Sequence, residues 1–157
     1  MKKAIITLII LIIIVAGVSL ILAKKQTNAP VTETPTTETA QDIKGCYIAR
    51  LAKDVYTLNI QNQTNEAVTG TLAFKNFEKD SSSGTFSGMY QNDVLLGVYS
   101  FSSEGMDSVM QVAFKKTPEG FVRGFGDVTT EGNTVKFNDV NALEWDTKAV
   151  FKAEACQ

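Results

Sequence analysis

From Gly45 onward, apolar and polar side chains alternate in short runs, and the breaks between the runs are too short to hold a helix. Tyr56, Leu58 and Ile60 share one face of such a run, as do Val68, Gly70, Leu72 and Phe74 in the next. Phe86, Gly88 and Tyr90 follow, then Leu95, Gly97, Tyr99 and Phe101, then Met110, Val112 and Phe114. A strand turns successive side chains to opposite faces, so each of these sets marks the buried side of a half-buried strand. Between the sets lie turn-forming residues at 62–66, 79–84, 91–93, 103–107 and 117–120, rich in Asn, Asp, Ser and Gly. Parallel neighbours need a long crossover, which these breaks do not provide, so consecutive strands pair antiparallel in a meander.

Residues 46–51, 120–128 and 134–137 read as strands as well, which brings the number to about eight. The expected fold class is therefore all-β, an antiparallel up-and-down meander that curls into a small closed or nearly closed barrel, lipocalin-like in outline. The stretch 143–155 reads equally as a strand or as a short helix across one end. Gly70, Gly88 and Gly97 fall on inward faces, where they either relieve crowding in a sharply coiled sheet or leave room for a ligand. An eight-stranded barrel is about filled by its own side chains, which favours curvature over a cavity.

The N-terminal part has a different texture. Residues 4–23 are twenty positions interrupted only by Thr7, Gly17 and Ser19. At about 1.5 Å per residue, a helix of that length spans the hydrocarbon of a bilayer. Residues 1–25 are expected to form an uncleaved membrane anchor, because the apolar run exceeds that of an ordinary signal peptide. The alternative is cleavage near Gly17 and Ser19, with secretion of the remainder. Residues 26–44 hold six threonines and two prolines with almost no large apolar side chain, the composition of a disordered tether. The β domain then occupies 45–157, in the periplasm or outside the cell.

Charge and residue usage narrow the chemistry. The chain has a net charge of −2, but Lys2, Lys3, Lys24 and Lys25 flank the apolar run; without them 11 basic residues face 17 acidic ones, a balance of −6. Such a module has no basic footprint for nucleic acid. It also has no histidine, so the usual general base, the nucleophile–histidine pairs and the commonest transition-metal ligand are all missing. No metal or other cofactor is expected, and no catalytic motif is present. The two cysteines, Cys46 and Cys156, bracket the β domain and in an oxidising compartment are each other's only partners. Two buried free thiols or an intermolecular bridge are the alternatives.

Several short pieces recur in a recognisable order: Gly45-Cys46-Tyr47, Val68-x-Gly70-x-Leu72, Glu78-Lys79-Asp80 leading into Gly84-Thr85-Phe86-x-Gly88, and Leu96-Gly97-x-Tyr99-x-Phe101-x-Ser103-Glu104-Gly105. Gln111-Val112-x-Phe114, Gly124-Phe125-Gly126 and a cysteine at the C-terminal end complete it. Over residues 45–156 the chain resembles a group of small uncharacterised bacterial envelope lipoproteins, common in Bacteroidetes-type bacteria. The resemblance implies paired end cysteines and an envelope location, and it brings no activity. Those proteins are held by a lipidated cysteine, where this chain has the apolar segment.

Candidate site residues are few. Glu78 with Asp80, and Glu104 with Asp107, could pair as acids for glycosidase-type work or calcium binding, though acids in turns are more often solvated turn formers. Arg123 interrupts the apolar positions of its strand. Pointing inward it would need a carboxylate partner, or else it is a candidate for holding an anionic ligand; the cost of burying a charge favours an exposed position. The function expected from the sequence is non-catalytic binding of a small apolar ligand or an envelope protein by a membrane-tethered module. A carboxylate enzyme acting on an envelope substrate and a purely structural module are the alternatives.

Overall fold

Among the described residues ten strands make one continuous sheet, and eight of them close into a barrel. The computed structural model describes residues 41–103 and 105–156. The expected membrane segment, most of the tether and Glu104 lie outside the described residues. Seven strands follow each other as a meander: β1 (Gly45–Leu51), β2 (Asp54–Thr64), β3 (Ala67–Lys75), β4 (Ser82–Gln91), β5 (Val94–Ser103), β6 (Met106–Thr117) and β7 (Gly120–Phe125). A hairpin of β8 (Val128–Glu131) and β9 (Thr134–Phe137) leaves the barrel, and a single 3₁₀ turn at Val140–Ala142 leads into β10 (Glu144–Glu154). β10 pairs antiparallel with β7 on one side and with β1 on the other, which closes the ring.

The expected number of staves holds, but one of them differs. Residues 134–137 do form a strand, yet it lies in the side hairpin, and the ambiguous stretch 143–155 supplies the eighth stave as β10. The reason is hydrogen bonding. Without β10 the facing edges of β1 and β7 would be left with unpaired backbone groups, and an eleven-residue strand satisfies both at once. The first half of β6 bonds to β9 in parallel, at Val109 with Thr134 and Met110 with Val135, while its second half bonds to β7. The hairpin thus continues the wall beyond the point where β7 ends.

The turns follow from their residues. Asn92 and Asp93, with φ of 50° and 62°, give the left-handed pair that a two-residue hairpin needs between β4 and β5. Curvature depends on glycine where strands approach most closely. Gly88 faces Gly97 across β4 and β5, and a Cβ on either would run into the neighbouring backbone. A Cβ on Gly70 would meet the carbonyl of Asn59 on β2. The inward glycines therefore serve the coil of the sheet, as the strand count suggested.

Inside, Leu58, Ile60, Leu72, Phe86, Leu95, Phe114 and Phe121 are almost wholly removed from water. One end of the barrel is stoppered. Ile43, assigned by composition to the tether, is 1% exposed and belongs to the core. Its backbone N–H donates to Gln63 Oε1 at 2.9 Å, and its carbonyl accepts from the Tyr47 hydroxyl at 2.9 Å. The packed unit thus begins before Gly45.

Cys46 and Cys156 are joined, with Cα atoms 5.2 Å apart across a separation of 110 residues. The bridge ties the start of β1 to the chain just past β10, at the stoppered end. A loop this long is worth up to about 4–5 kcal/mol in the chain-entropy model.

Candidate functional site

At the end opposite Ile43 the barrel is open, forming a cup of about 420 Å³. The strands that run away from the stopper deliver their last inward residues here: Phe74 from β3, Phe101 from β5 and Phe125 from β7. Those that run towards it contribute Tyr56 from β2, Ser82 from β4 and Met110 from β6. Tyr99 and Phe101 stack at 4.6 Å between ring centroids, and Tyr99 meets Phe74 edge to face at 5.8 Å. Aromatic pairs of this kind hold their rings in place and give the cup firm, apolar walls.

Arg123 enters this cup, which corrects the expected exposed position. It follows Phe121 at a spacing of two on β7, so the strand turns both to the interior. Its guanidinium carbon sits 4.4 Å from the Phe74 ring centroid and 4.9 Å from that of Phe125. Nη2 approaches the Met110 sulfur at 3.7 Å, a weak acceptor. No ion pair links it to a carboxylate among the described residues. The rings offset part of the charge through their quadrupoles but accept none of its directed hydrogen bonds. Burial holds the Arg123 guanidinium below its ordinary value, opposed by Tyr56 and Tyr99, and the group stays cationic.

The backbone around Arg123 is irregular. Its register partner on β10 is Asp146, but Val122, the residue before it on β7, pairs with Val150, so β10 bulges across the intervening residues. Asp146 spends Oδ1 on the backbone N–H of Lys148 at 2.9 Å, inside that bulge, although it borders the cup. Bulges commonly re-aim side chains beside functional sites. The two tyrosines of the cup have local partners: the Tyr99 hydroxyl donates to Ser82 Oγ at 3.1 Å, and the Tyr56 hydroxyl donates to Asp54 Oδ2 at 3.2 Å. Burial pushes both phenols above their usual value, with Asp54 adding to the shift at Tyr56.

The acidic candidates do not converge. Glu78 stands in an exposed turn with φ of 58°, and the carbonyl of Asp80 accepts from Asn76 in the same turn. Asp107 accepts a hydrogen bond from the Ser102 hydroxyl and borders a shallow serine-lined groove formed by β4, β5 and β6. Glu104, its expected companion, lies outside the described residues. Among the described residues no three acidic or sulfur side chains gather as a metal site would require. Compared with protein-family models, with curated proteins and with solved structures, the chain finds no match.

Of the cup residues only Arg123 was a candidate from the sequence; Tyr56, Phe74, Tyr99, Phe101 and Met110 were placed on inward faces but not at a site, and Ser82, Phe125 and Asp146 were not placed. The missing signal was which end is stoppered, and that depends on Ile43.

Proposed function

We propose that this protein is a non-catalytic binding module that takes a small, largely apolar molecule into the open end of its barrel. The observation that carries the reading is the cup itself: about 420 Å³ of space walled by stacked aromatic rings, at one end of a barrel packed solid at the other. Ligand sites are of this size and character, concave and apolar with a few placed polar groups. Eight-stranded barrels leave room for one small ligand when their interior is not filled by side chains. The joined cysteines, together with the apolar segment at residues 4–23, support a position outside the cytoplasm on a membrane tether. A binding domain so placed would meet its ligand in the envelope.

Titration with a fluorescent apolar probe such as N-phenyl-1-naphthylamine tests this. Saturable one-to-one binding is expected, and Ser82→Trp, which sets an indole at the rim, should block it. A chain that shows only unsaturable, weak uptake, or an S82W variant that binds as well as the original, would sink the reading.

A further inference from the structure

We propose that the ligand is an amphiphilic acid, its carboxylate held by Arg123 and its apolar body lying against the rings of the cup. This rests on the reading of the cup as a binding site and adds the chemical class of the occupant. A guanidinium carries five donors in a planar fork. For Arg123 the surroundings supply one weak sulfur acceptor and two aromatic faces. Among the described residues, the acids nearest the rim have local partners: Asp146 Oδ1 accepts from the Lys148 N–H in the β10 bulge, and Asp54 accepts from the Phe77 N–H at 2.7 Å and from the Tyr56 hydroxyl.

No buried side-chain nitrogen or oxygen is left without a partner among the described residues, so the unused donors of Arg123 are those that reach the water of the cup. A neutral apolar ligand would strip that water and give nothing back. A cationic one would add repulsion. A carboxylate replaces the water with two charge-assisted bonds whose geometry matches the fork. Asp146, the cross-strand partner of Arg123, borders the same cup, so its charge favours a carboxylate held on the side of the guanidinium away from β10. The rings of Phe74 and Phe125, with centroids 4.4 Å and 4.9 Å from the guanidinium carbon, restrict its motion, which lowers the entropy lost when the acid arrives.

Isothermal titration of the purified full-length chain with decanoate, decanol and decylamine separates the cases, because the three share one apolar body. Decanoate should bind about ten- to a hundredfold more tightly than decanol, the range of a charge-assisted pair in a partly dry site, and decylamine should bind most weakly. Arg123→Gln should collapse the decanoate-to-decanol ratio to near one, and Arg123→Lys should restore part of it, with unfolding midpoints showing that both variants fold. Equal binding of decanoate and decanol by the original chain, or an R123Q variant that folds and keeps the ratio, would overturn the assignment while leaving the cup as a binding site. Absence of saturable binding for all three would overturn both readings.

Discussion

The two ends of the barrel are built from the same strands and differ in one polar group, the guanidinium of Arg123. At the stoppered end Tyr47 bonds to the Ile43 carbonyl, the Ile43 N–H to Gln63, and the Tyr90 hydroxyl donates to Asp93 Oδ1 at 3.1 Å. Tyr47 and Tyr90 both pack edge-on to Phe121 there. At the open end the tyrosines are partnered too, but a guanidinium stands among aromatic rings without a carboxylate partner among the described residues. The first arrangement maximises stability, since satisfied polar groups around a filled core leave nothing unspent. The second holds back interactions that a ligand can complete. In a small closed barrel, one tightly packed end supplies the stability that lets the other remain unfinished.

The largest expected effect comes from a matched pair of truncations. Phe121→Ala at the stoppered end should lose about 3–5 kcal/mol in urea unfolding, whereas Phe101→Ala in the cup should lose under about 2, because its ring already borders water. Equal losses would break the distinction between the ends. Next, Ile43→Ala should cost about 2–3 kcal/mol, the lower part of the range for truncating a buried aliphatic side chain. A variant as stable as the original would show that the stopper is decoration.

Alkali gives a third, smaller contrast. All four tyrosines are held above their ordinary value of 10.0, and Tyr90 is pushed up to about 12, chiefly by burial and then by its bond to Asp93. Each phenol ionises more readily in the unfolded chain, so the folded state binds more protons across that interval. Stability is intact below about pH 10 and falls as pH rises towards 12. Tyr90→Phe should move the alkaline unfolding midpoint, followed by circular dichroism, to higher pH; an unmoved midpoint would remove Tyr90 from the account.

The smallest effect should have the opposite sign. Arg123→Met should leave stability unchanged or raise it by up to about 1 kcal/mol, because a half-buried charge without an ion partner contributes little to folding. A loss of more than about 1 kcal/mol would make Arg123 a structural element, and the open end would then resemble the closed one.

Much of this was legible beforehand. Alternation with a period of two placed the inward faces of β2 to β6, and turn-forming residues placed the breaks between them, because strand pleating and turn chemistry are local. The cysteine pair was legible because only one intramolecular pairing exists. Residues 143–155 were ambiguous since Glu144–Glu154 mixes charged and apolar residues around a bulge, and a bulge breaks the period on which the reading relies.

The sequence by itself determined an antiparallel barrel-like sheet and the one intramolecular pairing open to its cysteines, since these follow from side-chain period, turn residues and cysteine number. Only the tertiary structure decided which end is filled and which way Arg123 points. Ile43 lies in a stretch whose composition is that of a tether, and its burial depends on a hydroxyl and an amide brought to it by β1 and β2. Parity alone put Arg123 on the Phe121 face, but the cost of an inward charge argued against it. That cost is reduced because the barrel stays open at this end, a fact set by how ten strands meet and by no local stretch of residues.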